Sequence, residues 1–187
     1  LAFPYLHHMA ADLYLYKGDF SNSIRLNQLF LAQHKGEHYL KAVNFRLYLA
    51  QWLGGQTQLA QQYLTLIPQQ GRTDREEDAY AARFVEEQTQ LNRHLMLARL
   101  QYDGGYYKEA LQVMSQMPLK PATPPAEKAE YHYRKARIYH GMQNLPKAKQ
   151  HIEKAIVASQ HTSLYFAPYA ALQLGYIYQD EQKPEIA

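Results

Sequence analysis

Gly105-Tyr106-Tyr107-Lys108-Glu109-Ala110 and Gln143-Asn144-Leu145-Pro146-Lys147-Ala148 are the same stretch written twice. Looser copies stand at Gly18-Asp19-Phe20-Ser21-Asn22-Ser23, Gly55-Gln56-Thr57-Gln58-Leu59-Ala60 and Gln182-Lys183-Pro184-Glu185-Ile186-Ala187. With the last residue of each as a register mark, the copies follow one another at 37, 50, 38 and 39 residues. Repeats of this size are stacked helix pairs, each too small to bury a core without its neighbours. The expected fold is therefore all-α: a right-handed α-solenoid of antiparallel helix pairs.

The residues around two of the copies support that reading. Tyr107, Ala110, Leu111, Met114 and Met117 recur at helical spacing and form one apolar stripe, which Pro118 is expected to close. Ala148, Ile152, Ala155 and Ile156 repeat the stripe one unit later, behind a first helix that carries Ala136 and Tyr139. Small residues at Ala98, Ala110, Ala136, Ala148 and Gly175 let paired helices approach closely. Gly54-Gly55 and Gly104-Gly105 read as turns between helices rather than phosphate cradles, because no strand precedes them.

This order of small residue, aromatic, short turn, aromatic, alanine and aliphatic resembles the tetratricopeptide repeat. The resemblance runs through Leu97-Ala98, Tyr107 and Ala110, through Ala136, Tyr139, Ala148 and Ala155, and through Leu174-Gly175 and Tyr178. The first unit follows with Ala11, Tyr14, Gly18, Phe20 and Ser23. The second departs most, with Tyr48 where a small residue is usual and Gln51 where an aromatic is; it is held by Leu47, Gly55, Ala60 and Leu66-Ile67-Pro68. Units are expected near 4–35, 37–68, 91–118, 127–160 and 164–187, the last incomplete. An additional helix is expected near 74–88, capped by Thr73 or Asp74, with Glu76 and Glu77 in its first turn. The pattern starts at once after Leu1 and stops at the fifth register mark, as expected of a piece of a longer protein. The sequence is also similar to long bacterial proteins that carry many divergent repeats of this type. That likeness favours a scaffold of the bacterial cell envelope over a cytoplasmic one.

Composition bounds the function. A protein of 187 residues, 47% apolar and 20% charged, is able to bury a core. A net charge of +3 without a Lys/Arg block gives no footprint for nucleic acid. No apolar run approaches the roughly 20 residues of a membrane span. The absence of cysteine removes thiolate catalysis, disulfides and cysteine metal sites.

His34 and His38 have the four-residue spacing of a helical metal pair, but Gly36 between them falls where one helix ends and the next begins. His7 and His8, being adjacent, point to different faces. No metal, cofactor or catalytic group is expected, and Glu76, Glu77, Glu86 and Glu87 read as a solvated face.

The resemblance implies that the first helix of each pair lines a concave groove. Projection places Arg99, Tyr102, Tyr133, Arg137, His140, Tyr169 and Tyr176 there, with Trp52 in the corresponding row of the second unit as groove lining or core. Tyrosine and arginine are the side chains in which binding energy concentrates. The expected function is non-catalytic binding of a protein or peptide, and an acidic or C-terminal segment suits the two arginines. Repeats of this type can also clamp a terminal carboxylate with lysines and asparagines. Here the corresponding positions hold Phe45, Leu49, Met96, Glu130 and Arg134, so that mode is not expected. Two alternatives stand beside the main reading: a glycan-type ligand stacked in the tyrosine-rich groove, and a structural array that self-associates through its C-terminal end.

Overall fold

The repeated stretch is a turn whose first residue takes a left-handed backbone. In a computed structural model, which describes residues 3–160 and 166–181, φ is +85° at Gly18, +88° at Gly55, +80° at Gly105 and +59° at Gln143. The next amide reaches back over the turn in every case. Asp19 N donates to Tyr14 O, Gln56 N to Gln51 O, Tyr106 N to Gln101 O and Asn144 N to Tyr139 O. This closure satisfies orphan carbonyls of the first helix and starts the second at once. Asp19 and Asn144 then cap the second helix by accepting from Asn22 N and Lys147 N. The fifth copy, Gln182–Ala187, lies outside the described residues.

Ten helices and no strand occur among the described residues. Four of the turns make hairpins. These are α1 (Pro4–Lys17) with α2 (Phe20–Gln33), α3 (Leu40–Leu53) with α4 (Thr57–Leu66), α6 (Arg93–Asp103) with α7 (Tyr107–Ser115), and α8 (Pro125–Gly141) with α9 (Leu145–Ser159). α10 (Phe166–Asp180) follows the last pair, and α5 (Glu76–Glu86) lies inside the 74–88 stretch. The protein is all-α, built of successive helix pairs as an α-solenoid is, and it divides into two compact units, Leu1–Leu91 and Asn92–Ala187.

In the first unit α2 packs on α3, and α5 packs on α3 as well. Phe30, Val43 and Leu47 are fully buried between α2 and α3. In the second unit α6, α7 and α8 share a core of Leu95, Ala98, Ala110, Met114 and Ile138, and α8, α9 and α10 share one of Ala136, Ala148, Ile152, Ala155 and Ile177. Alanine recurs at both crossings because a methyl is all that fits where two helix backbones close on each other.

Two expectations are corrected. α7 ends at Ser115, three residues before Pro118, so the proline follows the stop rather than causing it, although Met117 beyond the helix is still buried. Neither Thr73 nor Asp74 caps α5: its N-cap is Arg75, which makes no side-chain cap bond, while Asp74 lies 3.8 Å from His38. The acidic first turn has a different role. Asp78, fully buried, accepts from Tyr39 N at 2.6 Å and Ala42 N at 2.9 Å, and so caps α3 from a neighbouring helix. His7 and His8 are packing residues, both buried: His8 Nδ1 lies 3.1 Å from Asn27 Oδ1, and neither ring nitrogen of His7 has a partner among the described residues.

Candidate functional site

All seven residues expected to face a groove belong to the second unit, on α6, α8 and α10. α6 is fixed at its start by Asn92, whose side chain accepts from His94 N and Leu95 N and donates to Glu127 Oε1 of α8 at 2.8 Å. With Ala98 and Ala136 fully buried, the two helices lie close enough for their side chains to interleave. Arg137 of α8 therefore reaches Tyr102 of α6. Its guanidinium carbon stands 4.3 Å from the centre of that ring and 5.9 Å from the ring of Tyr133. A guanidinium over a phenol face is attracted by the ring quadrupole, at ~0.5–1 kcal/mol when exposed, and is held flat there.

Arg137 meets no carboxylate among the described residues. The neighbouring arginines differ. Arg99 stands 3.8 Å from Asp103, and Arg134 donates twice to Glu130, at 3.1 Å and 2.9 Å. Tyr133 is only 6% exposed and belongs to the core, so it supports Arg137 rather than offering surface. The Gln173 amide of α10 hydrogen-bonds the His140 ring of α8. Tyr169, Leu172 and Tyr176 follow at i, i+3 and i+7 on α10, each about half exposed. The second unit thus carries a cation over an aromatic ring on α8 and an exposed, largely apolar stripe on α10.

A second cluster on another flank of α8 had no signal in the sequence. His132 Nδ1 and His151 Nδ1 of α9 are 3.0 Å apart, a distance at which one ring must donate and the other accept. Tyr139 stacks on His151 at 5.5 Å and Tyr131 meets His132 edge-on at 5.2 Å. Burial lowers both imidazoles from the ordinary 6.5 to about 4, and neighbouring ammoniums push the same way, Lys154 and Lys135 at His132, Lys135 first among them at His151. Among the described residues no group of three or more His, Cys, Asp or Glu could hold a metal ion, and no helix is long and apolar enough to cross a membrane.

Residues 129–160, the α8–α9 pair, match the family model for the tetratricopeptide repeat. Eight of the ten described helices pair through one recurrent turn, and together with this match they support a repeat protein of the tetratricopeptide type. Such repeats are commonly protein-interaction scaffolds and are generally non-catalytic. No curated protein and no solved structure matches the sequence.

Proposed function

We propose that the first-helix face of residues 92–181 binds a protein segment bearing a carboxylate, from an acidic side chain or a free C-terminus, beside an apolar side chain. The observation that carries this is Arg137. A guanidinium stacked on Tyr102 and backed by Tyr133, with no carboxylate partner among the described residues, is pre-organised for a bidentate bond to one. Arg99, near Asp103, adds positive potential with part of its charge already offset. Tyr169, Leu172 and Tyr176 supply the apolar contact, and their two phenols give rigid surface with a polar end.

Selection from a random peptide display library tests this. Peptides enriched on the wild-type protein should carry Asp, Glu or a free C-terminus. Arg137→Glu should weaken them at least about tenfold, because it replaces an attraction by a repulsion. Arg137 is only partly buried, and a helical circular dichroism spectrum of the variant checks that it is folded. A basic or charge-free consensus, or equal affinity of the variant, would sink the proposal.

A further inference from the structure

The second unit is the one that breaks the repeat, and the break has a structural consequence. Twelve residues before the register marks Ser23, Ala110 and Ala148 stand Ala11, Ala98 and Ala136, all fully buried. Twelve before Ala60 stands Tyr48. A phenol cannot enter a space sized for a methyl, and the Tyr48 ring instead lies half-buried along α3. Its plane is within 8° of Trp52 one turn on, with ring centres 6.2 Å apart, and Phe84 of α5 closes in at 5.8 Å. Beside these rings lies a cleft of about 520 Å³, within the range of small-ligand sites.

The chemistry of the cleft is specific. None of its lining residues is charged, in a protein with 20% charged residues. Besides the aromatic platform it presents the side chains of Gln61, Gln88, Thr89 and Gln90, all exposed to solvent. Gln88 ends α5 in a left-handed backbone, φ +50°, which turns residues 88–91 back along the cleft, and Gln90 Nε2 donates to the Gln88 carbonyl at 3.2 Å. An ion entering here would lose hydration without gaining a counter-charge. A wholly apolar molecule would leave amides and hydroxyls unpaired. A ring with C–H groups on its faces and hydroxyls around its edge suits both: the faces stack on Tyr48 and Trp52, and each amide can donate to one hydroxyl and accept from the next. We propose that this cleft binds a neutral carbohydrate ring. The cleft shares no residue with the Arg137 face, and its ligand is of a different class.

Trp52 is the only tryptophan of the sequence, so its emission reports on this cleft directly. The 187-residue protein is titrated with maltotriose, cellotriose and triacetylchitotriose, with adenosine and a proline-rich peptide as contrasting probes. At least one saccharide should change the emission saturably below about 10 mM, with the same midpoint in about 0.5 M NaCl. Gln61→Ala and Gln90→Ala, both at exposed positions, should each weaken that saccharide about tenfold or more while melting like wild type. No saturable response to any saccharide overturns the proposal. So does a response to adenosine or the peptide alone, or saccharide affinity unchanged in both variants.

Discussion

His132 and His151 tie the stability of this fold to pH. In the folded protein both rings stay neutral down to about pH 4, because they are largely buried and face Lys135 and Lys154. In the unfolded state a histidine takes its proton near pH 6.5. Between these values the unfolded state binds protons that the folded state refuses, so stability falls as pH drops from about 6.5 to about 4. Below that both states are protonated and the contribution levels off. Allowing for solvent screening, the pair should account for on the order of 2–3 kcal/mol across that window. Urea titrations at several pH values, with a His132→Phe, His151→Phe double variant alongside, measure it. The variant keeps aromatic packing on Tyr131 and Tyr139 and should lose most of the pH dependence. Parallel pH profiles for the two proteins would dismiss the pair as the cause. Sequence inspection missed the pair for a physical reason: 19 residues separate the two rings, and only the α8–α9 crossing brings them together.

At the scale of elements, one turn does most of the organising, and it was legible. Three of its four described copies carry glycine where the backbone is left-handed, and the next residue is the N-cap of the second helix. What was not legible is tertiary capping. The acidic first turn of α5 reads locally as dipole compensation, whereas Asp78 points across to the α3 amides, a contact spanning 36 to 39 residues. The one copy of the turn without glycine is a direct test of the turn argument. Gln143 adopts φ +59°, in a region that costs an L-residue with a Cβ roughly 1 kcal/mol. Gly18, Gly55 and Gly105 fill the same role with no Cβ contact within 4 Å. Gln143→Gly should therefore stabilise the protein by about 0.5–1 kcal/mol, the relief of strain exceeding the entropy that glycine loses on folding. A thermal or urea midpoint at or below wild type would show that the turn is not strained at Gln143.

At the scale of the whole molecule, each compact unit carries its own core and its own candidate site. Every residue of the Arg137 face lies in Asn92–Ala187, and every lining residue of the aromatic cleft lies in Leu1–Leu91. The repeat pattern placed the face residues on first helices, since i, i+3 and i+7 spacing follows from helix geometry alone. It could not separate Tyr133, which is buried, from Tyr169 and Tyr176, which are open, because burial depends on which neighbour covers each ring. Nor could it show that Tyr48, a visible departure from the pattern, borders a cleft, because Phe84 arrives from a helix outside the repeat. Within the second unit two core clusters are built from residues of α6 to α10. Repeat arrays are stabilised by nearest-neighbour stacking, and five helices with two continuous cores give residues 92–187 several such interfaces. A fragment of these residues alone should fold, with a helical circular dichroism spectrum and a cooperative urea transition, and should bind the peptides selected on the 187-residue protein with unchanged dependence on Arg137. It has no tryptophan, so it should show no saccharide-linked emission. A fragment that is helical only with residues 1–91 supplied in trans would show that the second unit's stability is borrowed.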